Sequence, residues 1–155
     1  MVTLIDAHGA QHLGQVRALF EEYAASLAVD LCFQNFAGEL AGLPGGYAPP
    51  AGRLLIARDS ASAVGCVALR KIDDEICEMK RLYVRPEFRG KGVGKLLVNA
   101  ILSEARASGY KRMRLDSLPQ MKGAIALYQS LGFRPTAAYR HNPVPGALFL
   151  ELDLA

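Results

Sequence analysis

Cysteine is sparse in this chain: Cys32, Cys66 and Cys77 are scattered through 155 residues. An odd number, no Cys-x-x-Cys and no nearby histidine pairs speak against both a disulfide framework and a zinc site. The three thiols are expected to be small buried apolar side chains. Long apolar runs are missing too. Leu54-Leu55-Ile56-Ala57 falls far short of the ~18–20 residues that a membrane-spanning helix requires, so no span is expected. The N-terminus has no basic patch ahead of an apolar stretch, because Asp6 and His8 follow closely on Leu4 and Ile5. It does not read as a signal peptide, and the expected compartment is the cytoplasm. Nor is there a large excess of one charge: a formal net charge of +3 is too small to imply nucleic acid by itself.

What is present fits an ordinary globular domain. With 51% hydrophobic and 21% charged residues, disorder, collagen-like repeats and coiled coils are excluded. A chain of this length buries about 70% of the surface its unfolded form exposes, so one core and one domain over residues 1–155 are expected.

The spacing of apolar residues predicts a strand near Val2 to Ile5 and then an amphipathic helix through Val16, Leu19, Phe20, Tyr23 and Leu27. A second helix is expected from about Gln34 to Ala41. The segment Leu43 to Gly52, rich in proline and glycine, reads as a loop able to border a pocket. Arg53 to Asp59 and Ala63 to Lys71 form an expected hairpin, followed by a third strand from about Glu75 to Arg85 that Pro86 ends. Leu96, Leu97, Ala100, Ile101 and Ala105 line one face of a helix from Val93 onward, Gly109 follows where a left-handed cap would be needed, and Lys111 to Asp116 is a strand. Another helix begins near Pro119 and stops at Gly132. Strands near Phe133 and at Ala147 to Asp153 close the chain, with 142–146 as a loop. This order predicts an α/β (α+β) fold with a mixed, mostly antiparallel sheet covered by helices on both faces.

Within that frame Lys80, Arg81, Arg85, Arg89, Lys91 and Lys95 crowd a stretch whose only acid is Glu87. The strand Leu82-Tyr83-Val84 runs through Arg89-Gly90-Lys91-Gly92-Val93-Gly94-Lys95 straight into a helix. The first helical turn leaves amide N–H groups without partners, and the positive end of its dipole attracts anions. Gly90, Gly92 and Gly94 let the backbone approach phosphate oxygens, while Arg89, Lys91 and Lys95 add charge. A P-loop is excluded, since Leu96 stands where its Ser or Thr would be. A dinucleotide fingerprint fits poorly, because this turn follows several strands and its glycines alternate.

These residues resemble the GNAT superfamily of N-acetyltransferases. Its Arg/Gln-x-x-Gly-x-Gly/Ala signature is met by Arg89, Gly92 and Gly94, and Ala124 to Phe133 looks like the family's second cofactor-contacting segment. The resemblance covers essentially the whole chain. It implies a splayed pair of strands, Glu75 to Arg85 and Lys111 to Asp116, opening to admit acetyl-coenzyme A. The backbone of Leu82, Tyr83 and Val84 would hold the pantetheine arm, and the amides of Arg89, Gly90, Lys91, Gly92, Val93, Gly94 and Lys95 the diphosphate. Met121 stands where the family often has Asn, which puts one side-chain bond to the cofactor in doubt.

The chemistry so implied is direct attack by a primary amine of a small molecule or peptide on the thioester, without an acyl-enzyme and without a metal. Similar enzymes place a tyrosine like Tyr128 near the sulfur, where it serves as the acid, and Tyr128 also lies on the apolar face where it would simply pack. A glutamate on the third strand is often the base. Alternation would put Glu78 on the same side as Lys80, Leu82 and Val84. His141 and a chain of waters are rivals for that role. The oxyanion is expected to meet a backbone amide near Leu82. Other readings are a silent acetyl-coenzyme A sensor and a nucleic-acid module, the latter opposed because the basic run alternates with glycines and not with stacking aromatics. No nucleic-acid or membrane partner is expected, whereas an exposed strand edge leaves a homodimer open.

Overall fold

The computed structural model describes residues 1–27, 31 and 35–155. Cys32 and Gln34 lie outside the described residues. The elements run β1 (Val2–Asp6), α1 (Leu13–Ser26), α2 (Phe36–Ala41), β2 (Arg53–Asp59), β3 (Ser62–Lys71), β4 (Ile76–Val84), α3 (Val93–Ala107), β5 (Arg112–Ser117), α4 (Lys122–Ser130), β6 (Arg134–Pro135) and β7 (Leu148–Asp153). Local chemistry sets several of these bounds. Asp73 Oδ1 accepts the amides of Glu75 and Ile76 at 2.8 and 2.9 Å, turning the chain into β4. Pro86, with no amide hydrogen to give, ends that strand.

The strands form one sheet in the order β1-β2-β3-β4-β5-β7-β6. β4 and β5 are parallel, joined by the α3 crossover, and the other neighbours are antiparallel. On one face α3 buries Val93, Leu97, Val98, Ile101, Leu102 and Ala105 against strand residues that include Leu69, Met79, Met113 and Leu115. On the other face α1 buries Val16, Leu19 and Phe20 against Leu54, Ile56, Cys66 and Ala68. Two apolar layers thus sandwich the sheet. Removing a fully buried side chain such as Leu97 or Phe20 would cost about 2–5 kcal/mol.

Two expectations are corrected. Leu96 is exposed, since the buried stripe of α3 runs through Val98 and Leu102 instead. The Leu43 to Gly52 loop lines neither of the two cavities described below: Tyr47 plugs into the α1-side core, with its ring edge-on to Phe20 at 6.0 Å. Among the described residues, no helix is long and apolar enough to cross a membrane.

Candidate active site

β4 positions the site, and it does so by being irregular. Its register with β3 is one-to-one from Lys71↔Cys77 to Ala68↔Lys80, and the next pair is Cys66↔Tyr83. Two residues of β3 are therefore spanned by three of β4, which is a β-bulge. Arg81 carries it, at φ +62. A side chain at left-handed angles costs about 1–2 kcal/mol. Here the strain is offset by a bidentate ion pair to Glu39 of α2 at 2.7 and 2.8 Å, and by stacking on Tyr23 and Phe36. Burial is the largest single influence and works against the Arg81 charge, yet the Glu39 bond and charge together with Tyr47 and Tyr23 outweigh it and raise the pKa.

The extra residue changes the phase of the strand. Leu82 and Val84 point to the α3 face, whereas Glu78 lies on the α1 face, so simple alternation misplaced them relative to one another. The same part of the chain parts from β5. β4 and β5 pair only at Ile76↔Arg112, Cys77↔Met113 and Glu78↔Arg114, and beyond Glu78 the backbone facing β5 has no ladder partner in that strand. A V opens between them, as the splayed pair requires.

Two cavities meet there. A cleft of about 560 Å³ is lined by Leu82, Tyr83, Val84, Arg89, Gly90, Gly92, Val93 and Gly94, together with Gln120, Met121, Lys122, Gly123 and Ala124. It is thus bounded by the N-terminal ends of both α3 and α4. Gly92 caps α3 at φ +83, and the first intrahelical bond is Leu96 N–H to Gly92 O, which leaves the amides of Val93, Gly94 and Lys95 aimed out of the helix end. Arg89 reaches back to donate to Val84 O at 2.9 Å. Lys91 and Lys95 are exposed at the rim and are not part of the wall.

The second cavity, about 30 Å³, is a narrow passage in the V whose wall takes residues from both faces of the sheet. Tyr128, Met79, Leu82 and Leu115 line it from the α3 face, and Lys80, Arg81, Asp116 and Asn142 from the α1 side. Tyr128 is 4% exposed, and its hydroxyl has no hydrogen-bond partner among the described residues. Burial raises its pKa and keeps the phenol protonated. Lys80 is 5% exposed. Burial first, then Arg81 and Arg140, draw its pKa down to about 7 against the pull of Glu78 and Asp116.

Glu78 is elsewhere. It is fully buried and absent from the passage wall; Arg70 donates to Oε1 at 2.8 Å, and Tyr139 at 2.7 Å and Arg140 donate to Oε2. Burial alone would raise its pKa, but Lys80, Arg140 and Arg70 prevail and hold the carboxyl below its ordinary 4.5. Its geometry is that of a counter-ion pinning the 136–147 loop to the sheet. Asn142 pins the same loop a second time, donating to Asp116 Oδ2 at 3.1 Å. His141 is exposed and lines neither cavity. Lys80, Asp116 and Asn142 were missed by sequence reasoning; Lys80 and Asp116 come to one wall only where β4 parts from β5, which leaves no mark in the pattern, and Asn142 arrives from a loop.

The basic run is divided as well. Lys80 and Arg81 turn inward, Arg85 pairs with Glu22 at 2.7 Å, and the remainder flank the glycine turn. Cys66 and Cys77 are buried free thiols; burial raises both pKa values, that of Cys77 to about 12. Among the described residues, no group of His, Cys, Asp and Glu is placed to hold a metal ion.

A mixed sheet parted between two parallel strands, with a helix N-terminus at the mouth of the gap, defines an acyl-coenzyme A N-acyltransferase fold. The chain belongs to the acetyltransferase (GNAT) family, whose model matches residues 16–133. An uncharacterized N-acetyltransferase of Schizosaccharomyces pombe is 43% identical over 94% of this chain and 90% of its own length. Among solved structures, an acetyltransferase from Streptococcus agalactiae superposes with a TM-score of 0.81 at 22% identity, covering 98% of each chain. A GNAT family acetyltransferase from Elizabethkingia anophelis with acetyl-CoA bound superposes at 0.65 and 18% identity, over 98% of this chain and 97% of that one.

Proposed function

We propose that this enzyme moves the acetyl group of acetyl-coenzyme A directly to a primary amine of a small molecule or peptide. The observation that carries this reading is a cleft at two helix N-termini that shares Tyr23, Leu27, Leu82 and Met121 with a narrow passage between β4 and β5. The diphosphate sits on the outward amides of Val93, Gly94 and Lys95, where unpaired donors and the helix dipole act together. The pantetheine arm follows the unpaired edge of Leu82 to Val84, replacing the lost strand partner with amide hydrogen bonds. The thioester then lies where the cleft adjoins the passage, at Leu82 and Met121, with Tyr128 on the passage side.

A passage of about 30 Å³ has room for little more than a water-sized group, which suits the end of an unbranched primary amine. Tyr128 remains protonated and donates a hydrogen bond to the departing thiolate. Direct attack is favoured over an acyl-enzyme because the cysteines among the described residues are buried and held as thiols. Glu78 serves as the anchor of the 136–147 loop and keeps the acceptor side of the passage in shape.

The test is thiol release from acetyl-coenzyme A over L-amino acids, polyamines, aminoglycosides and peptides with free N-termini. Turnover with at least one class is expected. Tight cofactor binding with no thiol release from any of them would instead make the protein a silent sensor.

A further inference from the structure

The acceptor needs a group to take its proton, and Glu78 is poorly placed for that: both oxygens are occupied, and it does not reach the passage. Protonating it would also release Arg70, Arg140 and Tyr139 and unpin the loop. The passage wall holds a different titratable side chain at the junction of the two faces. Lys80 shares that wall with Tyr128 on one side and Asp116 on the other. It stands two residues beyond Glu78, where β4 has already parted from β5.

We propose that Lys80 is the catalytic base, the group that receives the proton of the acceptor ammonium. The assignment rests on the transferase reading above. The ammonium gives one proton to the Lys80 nitrogen, which later releases it to water. The neutral amine forms a bond to the thioester carbon, and the C–S bond breaks with its electron pair leaving on sulfur. The second proton lost from nitrogen ends on that sulfur, so acetamide, free thiol and one proton are the products.

The surroundings suit this role. Glu78 and Arg81 flank Lys80 on its own strand, Asp116 faces it from β5 and Arg140 from the 136–147 loop, and the phenols of Tyr23 and Tyr128 share the cavity. Burial and the two arginines favour the uncharged amine, bringing its pKa to about 7, while the carboxylates stop it from falling further. A base is most effective when its pKa lies near the working pH. A lysine outside such a setting, at about 10.4, would be charged and useless as a base at neutrality.

The experiment compares wild type, Lys80→Arg, Lys80→Met and Asp116→Asn, using the best amine from the panel above and recording kcat/KM against pH, with acetyl-coenzyme A affinity measured alongside. Arginine preserves the charge but does not accept a proton. The expected result is a fall of about 10²–10⁴-fold in kcat/KM for both lysine variants, with acetyl-coenzyme A affinity retained. The acidic limb near pH 7 should give way to one near the pKa of the free amine, so activity recovers toward alkaline pH. With methoxyamine, which is uncharged at neutrality, the deficit should shrink. Lys80→Arg keeping both the rate and the acidic limb, or Asp116→Asn alone abolishing that limb, would overturn the assignment while leaving the transferase reading intact. No thiol release by wild type from any amine would overturn both.

Discussion

Glu78→Gln offers a test of the buried ion cluster that does not depend on any substrate. The substitution keeps the side-chain shape and removes one charge from a site that is fully buried and accepts from Arg70, Arg140 and Tyr139. Removing one partner of a buried ion pair costs about 3–5 kcal/mol, because the remaining charge is left without its counter-ion. Here the remaining charges can partly rehydrate, since the Arg70 side chain is 41% exposed and that of Arg140 18%. The low end, about 3 kcal/mol, is therefore expected. For a domain of this size about 2–4 °C of Tm accompanies each kcal/mol, which gives a drop of about 6–12 °C. The chain has no tryptophan, so far-UV circular dichroism is the suitable probe. The loss should shrink in acid: a carboxyl held below 4.5 contributes stability above that pH and forfeits it as pH falls through the folded value. A shift under about 2 °C at neutral pH would refute the reasoning.

Other outcomes follow from the same geometry. Lys80 carries fewer protons folded than unfolded between about 7 and 10.5, so folding stability should rise with pH across that window, by at most about 1.4 kcal/mol per unit; Lys80→Met should flatten the slope in denaturant titrations. Tyr128→Phe should lower kcat about 10²-fold with little change in Tm, because the hydroxyl has no partner among the described residues to lose; unchanged kcat would remove Tyr128 from the mechanism. Gly92→Ala must place a Cβ at φ +83 and should lose about 1–2 kcal/mol along with coenzyme A affinity, read by thermal unfolding and calorimetry. Gly94→Ala, whose new Cβ meets only Leu127 at 3.7 Å and Val84 at 3.9 Å, should be slightly stabilised.

Most of the fold was legible because it is written in local terms: Pro86 ends β4, Asp73 turns the chain, and α1 and α3 carry period-3.6 apolar stripes. The cleft was legible for the same reason, since the glycine turn and the helix it opens are contiguous in sequence. The passage was not. Its wall joins Lys80, Asp116, Tyr128 and Asn142 from four separate segments, and only tertiary packing brings these together. The bulge at Arg81 was the decisive hidden feature: one extra residue sends Leu82 and Val84 to the opposite face from Glu78, and a period-2 reading cannot register it. Leu96 misled for a simpler reason, being an apolar residue on the solvent side of its helix.

The central claim is that the open end of α3 holds the diphosphate of coenzyme A, and Gly94→Glu addresses it with little disturbance to the fold. The added Cβ has ordinary contacts, and an acidic side chain in the first turn favours the helix. The same carboxylate would stand in the cleft wall and oppose phosphate. Isothermal titration calorimetry with coenzyme A should give binding to wild type and at least about 10²-fold weaker binding, equal to about 2.7 kcal/mol, to a Gly94→Glu protein whose Tm is not lowered. Equal affinity for the two proteins would contradict the account.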